Sequence, residues 1–373
     1  MSDVASCERI DLHRLRVPLV TPYRLAFGPV EHFDTIVVEI TGRDGRVGLG
    51  EATILTGYTD ETIDDGWRVA RELAAQLATT DALAAAARIA KAGVSFPFTA
   101  TAFGTALEML AGSPALDVRE TTRVPLLGLL NAEHEAGIAT EFEQLLAAGF
   151  RTIKVKVGFD AGRDAQRVRT VQRVVAGRAR IRIDANQGYT AEQGVAFVRA
   201  LDPAHIELFE QPCAAGDWDA HLAVARAAPV PMMLDESIYG VDDIERAAQL
   251  RAARYIKVKL MKLVTLERLG VAIARIRALG MQPVLGNGVA CDLGCWMEAC
   301  VAARAIDNAG EMNGFLKPRS GLLTEPLEFE QGAIVLASGF TPRLDRDRIA
   351  PYRVDAAAFA RAGAATAVQG ATP

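Results

Sequence analysis

Residues 152–186, TIKVKVGFDAGRDAQRVRTVQRVVAGRARIRIDAN, contain a short apolar run, an amphipathic stretch and a second short apolar run. The first run alternates lysine with valine, and a β-strand projects alternate side chains to the same face. The amphipathic stretch between the runs has helical character. A strand, a helix and a second strand in this order predict a parallel βαβ unit.

The same alternation recurs every 25 or so residues from about residue 124 onward. The repeated unit predicts an α/β fold, a (β/α)7-8 barrel of the TIM type. A doubly wound open sheet is the alternative, but no GxGxxG motif follows the first strand. The apolar runs are VPLLGLL, TIKVKV, IRIDAN, IELFEQP, VPMMLDES, YIKVKL, QPVLGNG and, less clearly, AGEMNGFL.

The residues before the barrel have a different sequence pattern. Residues 10–19 and 33–54 read as strands, with a hairpin turn at Asp44-Gly45. Residues from about 61 to 112 are rich in alanine and leucine at helical period. We therefore predict an α+β domain over 1–123, a catalytic barrel over 124–330, and an irregular segment over 331–373 that packs back on the first domain.

Composition indicates a globular protein of 373 residues with a net charge of −5. Acidic and basic residues are interspersed, so we expect neither nucleic acid nor a membrane surface as a partner. The N-terminus lacks the apolar core of a signal peptide, and no run approaches the roughly 20 apolar residues of a membrane span. The cysteines are odd in number and form no CxxC pair, so we expect buried free thiols and a cytoplasmic location. They are Cys7, Cys213, Cys291, Cys295 and Cys300.

Acidic residues end three successive predicted strands. Asp184, Glu210 and Asp235 lie at the carboxyl ends of their runs, the face on which barrel enzymes build active sites. Taken singly, each acid is better explained as a salt-bridged residue at the barrel rim. Three carboxylates from neighbouring strands converge, however, and such a set of hard oxygen ligands predicts a Mg²⁺ site, with Mn²⁺ as the substitute ion.

Lysines occupy the corresponding ends of two other strands. Lys156 and Lys259 should flank the metal from opposite sides of the barrel. An ammonium about 4 Å away, at an effective dielectric near 20, contributes roughly 4 kcal/mol of repulsion. Since one pKa unit corresponds to about 1.4 kcal/mol, we expect Lys154 and the metal to lower the pKa of Lys156 into the range of a general base. A structural lysine pair bonded to rim carboxylates is the alternative.

A base, an opposed acid and a divalent cation suit the removal of a proton beside a carboxylate. Return of the proton from the opposite lysine inverts the stereocentre. Two other classes remain open. A Schiff-base aldolase would explain one barrel lysine but not three carboxylates, and a non-catalytic ligand-binding barrel would explain neither set.

Five motifs together resemble the enolase superfamily, in its muconate-lactonizing-enzyme subgroup. They are KVK (154–156), DAN (184–186), FEQP (209–212), LDES (234–237) and KLMK (259–262). The resemblance spans the whole barrel, and the preceding α+β domain is similar to that superfamily's capping domain. It implies a lysine acid/base pair with Mg²⁺, a small-molecule carboxylate substrate and a homo-oligomer.

The resemblance also implies residue roles. Lys156, assisted by Lys154, and Lys259 are the acid/base residues, although Lys257 shares a face with Lys259. Asp184, Glu210 and Asp235 are the metal ligands, and Asn186 and Glu236 support the metal and the second lysine. Capping-domain loops at 21–28 and 55–62 are the lid candidates, and their implied substrate contacts are Tyr23, Arg24 and Tyr58.

Two departures from the resemblance bear on the substrate. Strand seven ends in GNGVACDLG, which includes Asn287 but lacks the usual glutamate, and Asp292 is the candidate replacement. After strand eight, dipeptide epimerases carry an aspartate pair that grips the substrate ammonium, whereas this chain has Glu311 and Asn313. One negative charge is left there for an amine.

We therefore predict a racemase or epimerase of an amino-acid derivative, either an N-acyl amino acid or a dipeptide. A muconate-type cycloisomerase and an acid-sugar dehydratase would use the same residues and remain alternatives on the same scaffold.

Overall fold

The computed structural model describes residues 7–25, 28–56 and 59–361. Its strands, in chain order, are β1 (Cys7–Leu25), β2 (Gly28–Gly42), β3 (Val47–Ile54), β4 (Thr122–Pro125), β5 (Gly128–Leu130), β6 (Thr152–Lys156), β7 (Arg180–Asp184), β8 (Ile206–Glu210), β9 (Met232–Leu234), β10 (Tyr255–Val258), β11 (Gln282–Leu285), β12 (Glu328–Glu330), β13 (Ala333–Leu336) and β14 (Arg353–Ala360).

Helices separate most of these strands. They are α1 (Ile63–Leu77), α2 (Ala82–Ala92), α3 (Pro97–Leu110), α4 (Glu135–Ala147), α5 (Ala161–Val175), α6 (Ala191–Arg199), α7 (Trp218–Ala227), α8 (Val241–Leu250), α9 (Leu260–Leu263), α10 (Leu266–Ala278), α11 (Asp292–Ala305) and α12 (Arg346–Ile349). Among the described residues, no helix combines the length and apolarity needed to cross a bilayer. All five cysteines are free and buried, as predicted.

The N-terminal domain is an antiparallel sheet with the strand order β14-β1-β2-β3, covered by α1 to α3. The predicted hairpin is confirmed, because β2 and β3 pair antiparallel across the turn. Helix α3 lies close against β3, since a Cβ at Gly50 would stand only 1.8 Å from Ala102 O. The other side of α3 meets the barrel, where a Cβ at Gly104 would stand 2.4 Å from Val264 O.

The second sheet is parallel, with the strand order β11-β10-β9-β8-β7-β6-β5. Its ends are joined by the eighth apolar run. Gly310 N donates to Pro125 O at 2.9 Å and Gly310 O accepts from Leu127 N at 2.9 Å, while Glu311 N donates to Leu285 O at 3.0 Å. The run predicted as a strand is therefore a short bridge. It closes the barrel, which confirms the predicted TIM-type fold over an open sheet.

The last described segment is more regular than predicted. Within 331–361, β13 pairs with β4 and β12, and β14 pairs antiparallel with β1. The expectation of an irregular segment is wrong for these residues, because the edges of two existing sheets supply backbone partners that no local pattern reveals.

Candidate active site

The carboxyl ends of the barrel strands gather the predicted side chains at one mouth of the barrel. In the parallel register, Lys156 of β6 lies beside Asp184 of β7, and Asp184 lies beside Glu210 of β8. Asp235 and Lys259 directly follow β9 and β10. The arrangement arises because parallel strands of similar length end at the same edge of the sheet.

Two buried ammonium groups lie between the carboxylates. Lys154 Nζ is 2.8 Å from Asp184 Oδ2 and 2.8 Å from Glu210 Oε2. Lys257 Nζ is 3.1 Å from Glu210 Oε1 and 3.4 Å from Asp235 Oδ2. Burial alone would lower the pKa of each lysine, but the surrounding carboxylates outweigh burial and raise both pKa values. The site is therefore a network (called the lattice below) in which buried lysines alternate with carboxylates, and not a cluster of acids alone.

Glu311 completes this lattice. Its Oε2 accepts from Lys154 Nζ at 2.9 Å and also contacts Lys257 Nζ, and its Oε1 accepts from Lys154 at 3.1 Å. These two lysines hold the pKa of Glu311 well below its usual range against the effect of burial. Glu311 lines the cavity as predicted, but its charge is already neutralised by lysines.

The two predicted acid/base lysines lie on the flanks of the lattice. Lys156 Nζ is 2.6 Å from Asp184 Oδ2, and Lys259 Nζ is 2.8 Å from Asp235 Oδ2. Lys154 acts on the pKa of Lys156 in the predicted direction, but it does not decide the net shift. Burial and Lys154 do favour a lower pKa, but the adjacent Asp184 carboxylate outweighs them and raises it.

Asn186 and Glu236 contact each other beside Asp184. Asn186 N donates to Asp184 Oδ1 at 2.8 Å, its side-chain oxygen contacts Lys156, and its Nδ2 donates to Glu236 Oε1 at 2.9 Å. One chain of contacts therefore connects Lys156, Asp184 and Glu236 across two strand ends.

Asp184, Glu210 and Asp235 fit a hard divalent cation by the chemistry of their donors. All three carboxylates are buried, and Glu210 Oε2 accepts no hydrogen bond despite its ionic contact with Lys154. In the ranges that the structure describes, no three acidic, histidine or cysteine side chains are already arranged as a ligand set. The three acids were predicted to converge on one point. In the structure, ammonium groups lie between them.

Only some of the predicted substrate contacts reach the cavity. Tyr23 and Asn287 line it, together with Glu311. Asn313 is buried beside it, and its Oδ1 accepts from Lys317 Nζ at 3.1 Å. Tyr58 lies outside the described residues, as does the side chain of Arg24.

Asp292 does not replace the missing strand-seven glutamate. Its carboxylate accepts from Leu322 N at 2.8 Å and from Leu323 N at 3.1 Å, and it is absent from the cavity lining. Asp292 begins α11, so its side chain is directed to the unpaired N–H groups of a neighbouring segment rather than to the barrel mouth.

Sequence reasoning missed two candidate residues of the active site, Lys262 and Glu298. Lys262 donates to Asp235 O at 2.9 Å, and burial lowers its pKa to about 8. The sequence could have indicated Lys262, because it is the second lysine of the KLMK motif. Glu298 of α11 accepts from Leu260 N at 2.9 Å, next to Lys259. In the sequence, Glu298 is distinguished by its position inside an otherwise apolar helical stretch.

Comparison with known proteins gives matches along most of the chain. Residues 137–345 match the family model described as enolase C-terminal domain-like, and residues 9–111 match the mandelate racemase / muconate lactonizing enzyme N-terminal domain. An L-Lys-D/L-Arg epimerase of Methylococcus capsulatus is 32% identical over 262 residues, covering 66% of this chain and 72% of that protein. An L-Ala-D/L-Glu epimerase of Bacillus subtilis is 29% identical over 314 residues, covering 79% and 84%.

A solved structure shows the same fold. The dipeptide epimerase from Cytophaga hutchinsonii, complexed with Mg and the dipeptide D-Ala-L-Val, aligns with a TM-score of 0.85. The alignment covers 95% of this chain and 99% of that one, at 22% sequence identity.

Proposed function

Since the chain belongs to the mandelate racemase and muconate lactonizing enzyme family of the enolase superfamily, and is therefore an isomerase, we propose that it is a Mg²⁺-dependent racemase or epimerase. Its substrate is the carboxylate of an amino-acid derivative. Relatives named as amino-acid and dipeptide epimerases support this class over a cycloisomerase or a dehydratase. An aldolase and a non-catalytic barrel do not fit an isomerase family.

One observation carries the proposal: Lys156 and Lys259 contact different metal-ligand candidates from opposite sides of the cavity. Lys156 Nζ contacts Asp184 and Lys259 Nζ contacts Asp235, and both lysines line the cavity. Three strands, β7 to β9, separate β6 from β10 in the sheet. A substrate α-carbon between the two amines would present one face to each.

Asp184, Glu210 and Asp235 would hold the Mg²⁺ ion, with Asn186, itself bonded to Glu236, orienting Asp184. When bound, the ion supplies positive charge against which the substrate carboxylate takes up the electrons left by the departing proton. One lysine begins neutral and accepts the α-proton at Nζ. The other begins charged and donates a proton from its Nζ to the opposite face, so that the stereocentre inverts.

Hydrogen exchange tests this assignment. The Mg²⁺-loaded enzyme is incubated with N-acyl amino acids and dipeptides in heavy water, and deuterium at the α-carbon is measured by mass spectrometry for each enantiomer. We expect uptake in both the recovered substrate and its enantiomer. Turnover of these substrates without uptake would refute racemisation.

Substitution of each of the two lysines should stop exchange from a different enantiomer. Lys156→Ala should abolish exchange from one enantiomer and Lys259→Ala from the other, each by roughly 10²- to 10⁴-fold, the usual worth of a general base. Lys91→Met on α2 is the matched control for loss of a lysine charge, because Lys91 is exposed and does not line the cavity. Equal loss for both enantiomers in both variants would contradict the two-base assignment.

A further inference from the structure

Lys259, one of the two acid/base candidates, is also the residue that precedes a helix. It is the N-cap of the short helix α9, which begins at Leu260. At this position a serine, threonine, aspartate or asparagine usually accepts a hydrogen bond from the unpaired N–H groups of the first turn. A lysine side chain has donors but no acceptor, and Lys259 provides no side-chain cap. The start of α9 therefore needs an acceptor from elsewhere.

Glu298 of α11 supplies this acceptor. Its Oε1 accepts from Leu260 N at 2.9 Å, directly after Lys259. Glu298 is 2% exposed, and its Oε2 accepts no hydrogen bond from the residues that the structure describes. Burial raises the pKa of Glu298 to about 7, and the charges of Lys259 and Lys257 oppose this rise. Keeping an acid in such a place costs free energy, so a role for it is expected.

The N-terminal domain holds the same helix from its other side. Thr101 Oγ1 of α3 lies 3.3 Å from Met261 O and 3.5 Å from Leu260 O. At the end of α9, Val264 has a φ of +73°, which is unfavourable for a β-branched residue and persists only where the surroundings enforce it. The carbonyl of Val264 packs against Gly104, where a Cβ would stand 2.4 Å from it. Helix α9 is thus fixed between α3 and α11.

The opposed lysine belongs to another part of the barrel. Lys156 ends β6, and three strands separate β6 from β10, which Lys259 follows. The carbonyl oxygen of Lys156 accepts from Arg167 Nη1 at 2.6 Å, and its Nζ contacts Asp184 and Asn186. A change at Glu298 should therefore displace Lys259 and leave Lys156 in place.

We propose that Glu298 is a positioning residue for Lys259. By holding the N–H of Leu260, it fixes the backbone from which Lys259 Nζ reaches the substrate α-carbon. Glu298 does not line the cavity, so it acts through Lys259 and not on the substrate. This inference rests on the proposed two-base reaction and adds to it a residue that serves only one of the two faces.

Glu298→Ala tests the proposal through the difference between enantiomers. Deuterium uptake is measured for each enantiomer separately, and the enantiomer that depends on Lys259 is the one whose exchange Lys259→Ala abolishes. For that enantiomer we expect kcat to fall by about 10- to 100-fold, the usual effect of a small displacement of a reacting group. KM and the exchange of the other enantiomer should stay close to wild type. Equal losses for both enantiomers, or no loss, would overturn the proposal.

Glu298→Gln separates the hydrogen bond from the charge. Glutamine keeps a side-chain oxygen for Leu260 N, so this variant should recover most of the rate that Glu298→Ala loses. A Glu298→Gln enzyme as slow as Glu298→Ala would refute the role of the hydrogen bond. If Glu298→Ala fails to fold, Glu298→Asp gives the same readout, because it keeps the charge and withdraws the acceptor from Leu260 N by one methylene group.

Glu108→Ala is the matched control. Glu108 of α3 accepts from Leu266 N at 2.6 Å and from Glu267 N at 2.9 Å, at the start of the next helix, α10. Its loss removes a buried cap of the same kind without touching the residue after Lys259. We expect a lower urea midpoint and an unchanged ratio of exchange rates for the two enantiomers. The same change of ratio in Glu108→Ala would assign the effect to general loosening and overturn the proposal.

Amide hydrogen exchange distinguishes this inference from the proposed function, because it needs no turnover. In the Mg²⁺-loaded enzyme, Glu298→Ala should speed amide exchange in a peptide that contains residues 259–263 and leave a peptide that contains residues 154–158 unchanged. If no substrate takes up deuterium but the amide result holds, the racemase proposal fails and the hold of Glu298 on Lys259 stands. If Lys156→Ala and Lys259→Ala affect different enantiomers while Glu298→Ala changes neither readout, the role of Glu298 alone fails.

Discussion

Lys154 and Lys156 leave the same strand two positions apart, yet their surroundings differ. The side chain of Lys154 is 1% exposed and touches three carboxylates, whereas that of Lys156 is 28% exposed and touches one. Buried charges are tolerated when each is paired. The crowding of like charges in the sequence is therefore resolved by carboxylates from other strands, and Lys257 repeats this solution from β10.

The metal proposal makes a prediction at Glu210. Mg²⁺ should raise the melting temperature of the wild-type protein relative to a chelator, because an ion at 100 times its Kd adds about 2.7 kcal/mol to the free energy of unfolding. Glu210→Gln should lose most of this Mg²⁺-dependent shift, since it removes a ligand charge. Thermal melts with and without Mg²⁺ measure the shift.

The readout for Glu210→Gln is the Mg²⁺-induced difference and not the melting temperature itself, because the variant also leaves Lys154 and Lys257 with less negative charge. Glu328→Gln, at an exposed strand position, is the control and should keep the full shift. The same shift in both variants would show that Glu210 is not a ligand.

Among the elements, α11 is held by an acid from the other domain. Glu51 of β3 accepts from Cys291 N at 2.6 Å and from Gly294 N at 2.8 Å, which are unpaired donors of the first turn of α11. The helix has no side-chain cap of its own. The segment before it, which includes Asn287, lines the cavity, so Glu51 ties the N-terminal sheet to the cavity wall.

Loss of this contact should destabilise the protein. Glu51→Ala leaves two buried backbone donors without acceptors, and we expect the free energy of unfolding to fall by about 1 to 3 kcal/mol for each donor so exposed. Urea unfolding measures this change, and KM should rise as the cavity wall loosens.

Asp81→Ala is the matched control for Glu51→Ala. Asp81, an exposed residue, caps α2 by accepting from Ala84 N at 2.8 Å. Its loss should cost about 1 kcal/mol with no change in KM. An unchanged KM and stability in Glu51→Ala would contradict the role of this tie.

At the scale of the whole molecule, buried carboxyl groups link stability to pH. Burial raises the pKa of Glu51 and of Glu298 from 4.5 to about 7. Each group then binds its proton more tightly in the folded than in the unfolded chain. Their contribution to stability is present below pH 4.5 and is lost as pH rises through about 7.

Glu298→Gln should therefore flatten the pH dependence of stability. Between pH 4.5 and 7, a shift of this size corresponds to up to about 3 kcal/mol per group. Urea midpoints of wild type and variant, measured with chelator at several pH values, give the difference in slope. Glu328→Gln should keep the wild-type slope, and an equal slope in Glu298→Gln would disprove the linkage.

Both ends of the described chain meet in the N-terminal sheet, where β14 pairs with β1. The division into 1–123, 124–330 and 331–373 stays a prediction, as do the cytoplasmic location and the homo-oligomeric state.

Of the fold, the alternation of apolar runs and helical stretches was enough to predict a closed barrel and its preceding α+β domain. The differences in the described residues include the first run, which is divided between β4 and β5, the eighth run and the last strands.

The sequence by itself determined which side chains meet at the barrel mouth. Strands of similar length end at one edge, so residues such as Lys156, Asp184 and Glu210 come together whatever the loops do. Tertiary structure alone decided the partners of the remaining charges: Asp292 is directed to backbone donors, Glu311 is shared by two lysines, and Lys317 donates to a backbone carbonyl. The physical reason is that periodicity fixes the face and level of a strand residue, whereas an ion pair depends on distances between segments far apart in the chain.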